Sequence, residues 1–233
     1  MGESRHNPNQ LLKTIQADEG NRNKGHLKIF FGYAAGVGKT YAMLEAAHME
    51  KQQGIDVVAG YVEPHARPKT AALLNGLEVL PTSEVLYNGM ILNEFDIDMA
   101  LKRKPQLILV DELAHTNAEG CRHAKRYQDI KELLNAGIDV YTTVNVQHIE
   151  SLCDTVASIT EIVVRERIPD SLFDNADQVE LIDIEPQDLI DRLNTGNVYR
   201  QTQAKQAVEN FFTIENLTAL REIALRRCAD RVN

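Results

Sequence analysis

An α/β fold, with a mostly parallel sheet flanked by helices, a β-hairpin insert and a helical C-terminus, is predicted by three observations. Short apolar runs alternate with longer stretches rich in helix formers. The first run, Leu27-Lys28-Ile29-Phe30-Phe31, empties into Gly32-Tyr33-Ala34-Ala35-Gly36-Val37-Gly38 and then Lys39-Thr40. A later run, Leu107-Ile108-Leu109-Val110, ends in Asp111-Glu112.

Together these make the fold P-loop NTPase-like: a buried strand, a glycine loop and a helix start, partnered by a second strand tipped with acids. Phosphate needs that combination. Backbone N–H groups of the loop wrap the anion, the helix N-terminus adds partial positive charge, Lys39 neutralises β/γ oxygens, and the Thr40 hydroxyl ligates Mg²⁺. Asp111 at the strand tip would hold the Mg²⁺ shell, and Glu112 would be placed to polarise an attacking water. The candidate nucleotide contacts are Ala35, Gly36, Val37, Gly38, Lys39, Thr40 and Tyr41, with Asn145 as a reporter of the γ-phosphate. The candidate metal ligands are Thr40 and Asp111, and the candidate catalytic residue is Glu112. One departure stands out: in G-x-x-x-x-G-K-[ST], Tyr33 occupies the first glycine position and Gly32 falls one residue early.

Residues 1–24 are polar and Asn/Gln-rich, and read as a flexible arm before a domain over 25–233. After the loop, 40–53 lacks Gly and Pro and predicts a helix stopped at Gly54. The stretch 55–62 predicts a strand, ending in a polar loop over 63–67 that Pro64 and Pro68 stiffen. A short helix over 69–75 precedes a hairpin over 84–95, signalled by Asn88-Gly89 between apolar runs. Asp96 caps a helix over 99–104, and Pro105 ends it before the strand 106–110. A helix over 125–135 turns Tyr127, Ile130, Leu133 and Leu134 to one face, and a buried strand follows over 138–146. Further strands are expected over 162–168 and 179–184, then helices over 186–193 (closed by Gly196), 203–212 and 215–232. The last turns Leu217, Leu220, Ile223 and Ala224 inward, so the helices of 186–233 pack on the domain.

Composition narrows the function. A length of 233 residues suits one large core, and the longest apolar runs are far too short to span a bilayer. The start lacks an apolar signal region and the three cysteines are unpatterned, which suits a reducing cytoplasm. A net charge of −9 argues against nucleic acid as a partner, although 22–28 is locally basic and reads as a solvated leader. Cys121, His123, His148 and Cys153 lack compact metal-ligand spacing, and no G-x-S-x-G elbow supports nucleophilic hydrolysis. Glu112 is open to a second reading, in which it only holds a neighbouring loop. Arg122, Lys125 and Arg126 either supply charge to a reaction or form an ordinary solvated helix start.

Four separated strings carry a resemblance: Gly36-Val37-Gly38-Lys39-Thr40-Tyr41-Ala42-Met43-Leu44, Gly60-Tyr61-Val62-Glu63-Pro64-His65-Ala66-Arg67-Pro68, Leu109-Val110-Asp111-Glu112-Leu113-Ala114-His115-Thr116-Asn117 and Tyr141-Thr142-Thr143-Val144-Asn145-Val146-Gln147-His148. In this order they resemble the N-terminal cytoplasmic domain of KdpD-type sensor histidine kinases, which respond to potassium and osmotic stress. The likeness runs from about Leu27 to the end and includes Asn216-Leu217-Thr218-Ala219-Leu220-Arg221-Glu222. It implies an ATP-binding regulatory domain that precedes a universal-stress-protein-like domain, a membrane segment and a kinase core. Its partners are then ATP with Mg²⁺, the remainder of a membrane-bound sensor kinase and, indirectly, a response regulator. Nucleotide here would bias the balance of kinase and phosphatase activities. No phosphate-accepting histidine motif of the sensor type is present in this chain. Two rivals remain: a slow ATPase or small-molecule phosphotransferase using Glu112, and a docking module whose altered loop at Tyr33 is vestigial.

Overall fold

The structure, a computed structural model, describes residues 24–63, 68–87, 89–194 and 211–231. Residues 1–23 of the arm predicted over 1–24, the loop 64–67, the hairpin tip at Asn88, the stop at Gly196 and most of the predicted helix over 203–212 lie outside the described residues.

Six strands form one sheet. They are β1 (Leu27–Gly32), β2 (Val57–Tyr61), β3 (Glu78–Val79), β6 (Leu107–Val110), β7 (Asp139–Asn145) and β8 (Gln178–Leu181), in the spatial order β3-β2-β6-β7-β1-β8 with every neighbouring pair parallel. The hairpin stands apart as β4 (Ser83–Tyr87) and β5 (Met90–Glu94), paired antiparallel from Ser83↔Glu94 to Tyr87↔Met90. The order sets β6, β7 and β1 side by side, so their carboxyl ends, which carry Asp111, Asn145 and the glycine loop, open onto one edge.

Helices cover both faces because strand side chains alternate. Phe30, Val57, Ala59, Leu107 and Leu109 point to one face, where Met43, Leu44 and Ala47 of α1 (Lys39–Gln52) pack on them, followed by the short α2 (Pro68–Ala72). Ile29, Phe31, Val58, Ile108, Val110 and Val140 point to the other. That face is covered by α3 (Ile97–Arg103), α4 (Arg126–Asn135), α5 (Cys153–Thr160), α6 (Asp170–Asp174), α7 (Pro186–Asn194) and α8 (Ile214–Asp230). The helix signals hold physically. Asp96 Oδ1 accepts from Met99 N–H at 2.9 Å to cap α3, and Thr213 Oγ1 accepts from Asn216 N–H at 3.2 Å to cap α8. Leu217, Leu220 and Ala224 of α8 are buried, while Arg221 pairs with Asp183 and Glu185, and Arg227 stacks over Phe173.

Two expectations need correction. The strand expected over 162–168 is absent: the segment carries Arg165, Glu166 and Arg167 among its apolar residues, Val163 is exposed, and only an isolated bridge joins Ile168 to Ile149. A sheet position buried on both faces has no place for those charges. The helix expected over 69–75 is regular only over Pro68–Ala72. Its next turns tighten, with Leu73, Leu74 and Asn75 each bonding three residues back, until Gly76 takes a left-handed φ of 87°. The edge strand β3 and the helices α5 and α6 carried no clear sequence signal.

The turn into β1 is constrained by close packing. Gly25 N–H donates to Leu134 O at 2.8 Å, and a Cβ built on Gly25 would lie 2.0 Å from the carbonyl oxygen of Ile138. Backbone cannot yield as a side chain can. Gly25→Ala is therefore expected to cost at least about 2 kcal/mol, a fall in Tm of roughly 4–8 °C. Thermal denaturation checks this, and an unchanged Tm would contradict the packing.

Candidate functional site

β1 runs through the buried Phe31 to Gly32, and the chain then has to turn back over the strand end. Gly32 permits that: a Cβ there would lie 2.6 Å from Val37 Cγ2 and 3.1 Å from Lys39 Cδ. Gly36 and Gly38 take φ values of 94° and 114°, left-handed geometry that lets the loop's backbone curl before Lys39 opens α1. Tyr33 does not obstruct the loop. Its ring is fully buried, away from the cavity, and its hydroxyl donates to Ile184 O at 3.0 Å. Burial pushes its pKa up to about 12.

The loop closes one side of a cavity of about 120 Å³ at the carboxyl ends of β1, β6 and β7. Ala35, Gly36, Lys39, Thr40, Asp111, Glu112 and Asn145 of the predicted set line it. Val37, Gly38 and Tyr41 do not: Val37 packs into the core and Tyr41 is exposed beside Glu45. Lys39 is buried and donates from Nζ to Ala34 O at 3.1 Å, so its ammonium already lies within the loop.

Asp111 is the best-connected group of the site. Oδ2 accepts from Thr40 Oγ1 at 3.0 Å, and Oδ1 accepts from the Glu112 N–H at 3.0 Å and from the Thr143 hydroxyl. Complete burial nevertheless dominates and holds its pKa above the ordinary 3.8, opposed by the two threonine hydrogen bonds and by Lys39 and reinforced by Glu112. Glu112 itself takes a left-handed φ of 59°, an uncommon conformation for this residue type. Strain of that kind persists where the surroundings enforce it, here by the hydrogen bonds of its N–H to Asp111 and Thr143.

Sequence reasoning did not foresee the role of Arg126. It is no solvated helix start: the side chain is fully buried, with Nη1 donating to Asp111 O at 3.2 Å, Nη2 donating to Glu94 Oε2 at 3.1 Å, and the guanidinium 4.0 Å over the Tyr61 ring. Glu112 Oε2 lies 3.8 Å from Nη1. Glu94 closes the hairpin strand β5, and also accepts from the Ala118 N–H at 2.9 Å and lies 3.0 Å from His115 Nε2. Burial would raise its pKa, but the His115 hydrogen bond, the Ala118 N–H and Arg126 outweigh it and keep the carboxylate below its usual range. Arg122 pairs instead with Asp98 and Glu132, and Lys125 donates to Thr116 Oγ1 at 2.6 Å. Glu166 and His148 complete the cavity wall. Their signal in the sequence was weak, since neither belongs to the strand–loop pattern. Among the described residues no cluster of three or more His, Cys, Asp or Glu side chains forms a metal site.

A parallel α/β domain with a glycine loop at the strands' carboxyl edge, facing a buried aspartate, is the class this geometry defines. The chain matches, over residues 23–232, the family described as KdpD, osmosensitive K+ channel His kinase sensor domain, and it belongs to that family. Among its relatives is the "Sensor protein KdpD" of Clostridium acetobutylicum, 63% identical over 229 residues and covering 98% of this chain. Those of Escherichia coli K12 and Mycobacterium tuberculosis are 56% and 52% identical, over 98% and 89% of the chain. The chain spans about a quarter of the length of each, 25%, 25% and 24%. None of the described helices is long and apolar enough to cross a membrane.

The Asp111 pKa has a consequence for stability. A carboxyl whose folded pKa is raised contributes stability that is complete below its ordinary value of 3.8 and is lost as pH rises through the folded pKa, so at neutral pH the ionised form opposes folding. Asp111→Asn keeps two hydrogen-bonding atoms beside Thr40 and Thr143 and removes the charge. It is expected to raise Tm at pH 7 and to lose that advantage near pH 4, as thermal scans at the two pH values would show; a lower Tm at pH 7 would contradict this.

Proposed function

We propose that this domain binds ATP with Mg²⁺ at its glycine loop and serves as the nucleotide-responsive input of a larger KdpD-type sensor histidine kinase, biasing the kinase and phosphatase activities that act on a response regulator. The observation that carries this reading is the Thr40–Asp111 hydrogen bond of 3.0 Å beside the buried Lys39. A hydroxyl and a carboxylate brought together next to a lysine and a run of loop N–H groups form a donor set suited to a hard divalent cation with polyphosphate. Thr40 and Asp111 would hold Mg²⁺, whose charge would neutralise phosphate oxygens. Lys39 would take the β/γ oxygens, and Asn145, whose Oδ1 is buried without a partner, would report on the γ-phosphate. Carboxylates of Asp111, Glu112 and Glu166 line the cavity beside Lys39, so a polyphosphate without a cation would be repelled.

A switch requires that nucleotide favour one conformation over another. Two routes lead outward from the loop. Tyr33 bonds to Ile184 after β8, and the outer face of Gly38 lies near Ile182 and Arg192 of α7, which ties the loop to the C-terminal helices. Arg126 ties the Asp111 carbonyl to the hairpin through Glu94. The family likeness supports a regulatory output, because the relatives are sensor proteins of which this chain spans a quarter.

A slow ATPase or small-molecule phosphotransferase is the second reading, favoured by the strained Glu112 at the cavity wall. The docking-module reading loses support because Tyr33 turns away from the loop it was thought to disable.

Lys39→Ala removes a charge-assisted contact of about 1.5–3 kcal/mol, so the Kd for ATP with Mg²⁺ is expected to rise at least about tenfold. Titration calorimetry on both proteins tests this, and equal affinities would overturn the assignment.

A further inference from the structure

The cavity holds a group that phosphate binding does not use. His148 follows β7 in a single 3-10 turn and lines the cavity together with Lys39 and Thr40. Its Nδ1 lies 2.9 Å from the backbone carbonyl oxygen of Glu166. A carbonyl can only accept, so Nδ1 carries the hydrogen and donates it. That bond fixes the tautomer: in the neutral ring Nε2 carries a lone pair and no hydrogen. Burial lowers the His148 pKa below 6.5, with the Glu166 carbonyl opposing, so the neutral form dominates at neutral pH. The charged and titratable groups that share the cavity with it are Lys39, Asp111, Glu112, His115 and Glu166.

With Nδ1 taken by the Glu166 carbonyl, the ring nitrogen that this cavity-lining residue has left to offer is Nε2, whose lone pair cannot bind a phosphate oxygen directly, because two acceptors repel. It can accept from a hydroxyl. We propose that His148 is the proton acceptor for a water that attacks the γ-phosphorus of ATP in this cavity, a role that rests on the ATP-binding reading above. The water oxygen forms a bond to the γ-phosphorus, and the bond from that phosphorus to the β–γ bridging oxygen breaks, its electron pair leaving on ADP. The water's proton passes to Nε2 and is then released to solvent. Glu112 is less suited to this task, because its carboxylate is turned towards the buried Arg126 guanidinium, 3.8 Å away. Its contribution is electrostatic and orienting.

The test combines three measurements on the whole chain, in wild type, His148→Asn and Glu112→Gln. Asparagine places an amide N–H near Nδ1, so it keeps the bond to the Glu166 carbonyl and deletes only Nε2. First, ¹⁵N NMR of the free wild-type protein is expected to show His148 protonated at Nδ1; protonation at Nε2 would overturn the proposal. Second, His148→Asn is expected to bind ATP with Mg²⁺ within about threefold of wild type, as a residue acting on the nucleophile should. Third, phosphate release under single-turnover conditions is expected to fall by about 10²-fold or more in His148→Asn, with loss of the acid limb of its pH profile, while Glu112→Gln keeps that limb. Wild type that binds ATP and releases no phosphate, or His148→Asn that releases it at the wild-type rate, would overturn the role of His148 and leave ATP binding intact. Wild type that fails to bind ATP would overturn the nucleotide reading and this inference with it. Should His148→Asn unfold, the wild type decides alone: an acid limb of phosphate release that coincides with the His148 titration followed by ¹⁵N NMR supports the role, and a limb that does not coincide overturns it.

Discussion

The structure depends on one buried carboxylate. Asp111 sits at the end of β6, fully enclosed, with its two oxygens divided between Thr40 on α1 and Thr143 on β7. Because β6, β7 and β1 are neighbours, this group joins the tips of two strands to the helix that follows the glycine loop. An ionised carboxylate without solvent is costly, and its hydrogen bonds only partly offset that cost. A domain selected for stability alone would place an apolar residue there. Its retention at the cavity wall fits a ligand that supplies positive charge, so the strained state of the free protein and the proposed affinity for Mg²⁺ with nucleotide have one physical origin.

The second organising group is Arg126. Fully buried, it bridges the carbonyl of Asp111, the carboxylate of Glu94 and the ring of Tyr61, three elements far apart in sequence. Removing either partner of a buried pair leaves an uncompensated charge, so the arrangement holds in one register. It connects the two-stranded hairpin, which carries exposed Leu86, Met90 and Ile91, to the backbone of the site. Glu94 in turn holds His115 and the Ala118 N–H, so the Asp111 backbone, the hairpin and the 116–121 loop share one hydrogen-bond network.

Much of this was legible in the sequence, for local reasons. The glycine loop, the Asp111-Glu112 pair, the Asp96 cap and the Asn-Gly hairpin are each written within a few residues, and the described parts of the structure contain the elements they imply. Arg126 was not legible, because its burial depends on Glu94, 32 residues earlier, and on Tyr61 at the end of a different strand. His148 stood in the sequence only among histidines and cysteines without metal-ligand spacing, since its tautomer is set by a carbonyl 18 residues later. The segment 162–168 misled because an apolar triplet was read as a strand, although the charges around it fit a surface crossing. Tyr33 was read as a defect in the loop because its ring direction, into the packing beside Ile184, follows from tertiary contacts.

The central claim is that the Thr40–Asp111 junction is a receptor for Mg²⁺ with nucleotide, linked to the rest of the domain. Amide hydrogen exchange tests it most directly, comparing the free domain with the domain in excess ATP and Mg²⁺, and with ATP and a chelator. The account predicts slowed exchange at residues 36–40 and 111–113, extending to the hairpin end near Glu94, in the presence of Mg²⁺ and largely absent without it. Identical exchange at those residues in all three conditions would contradict it.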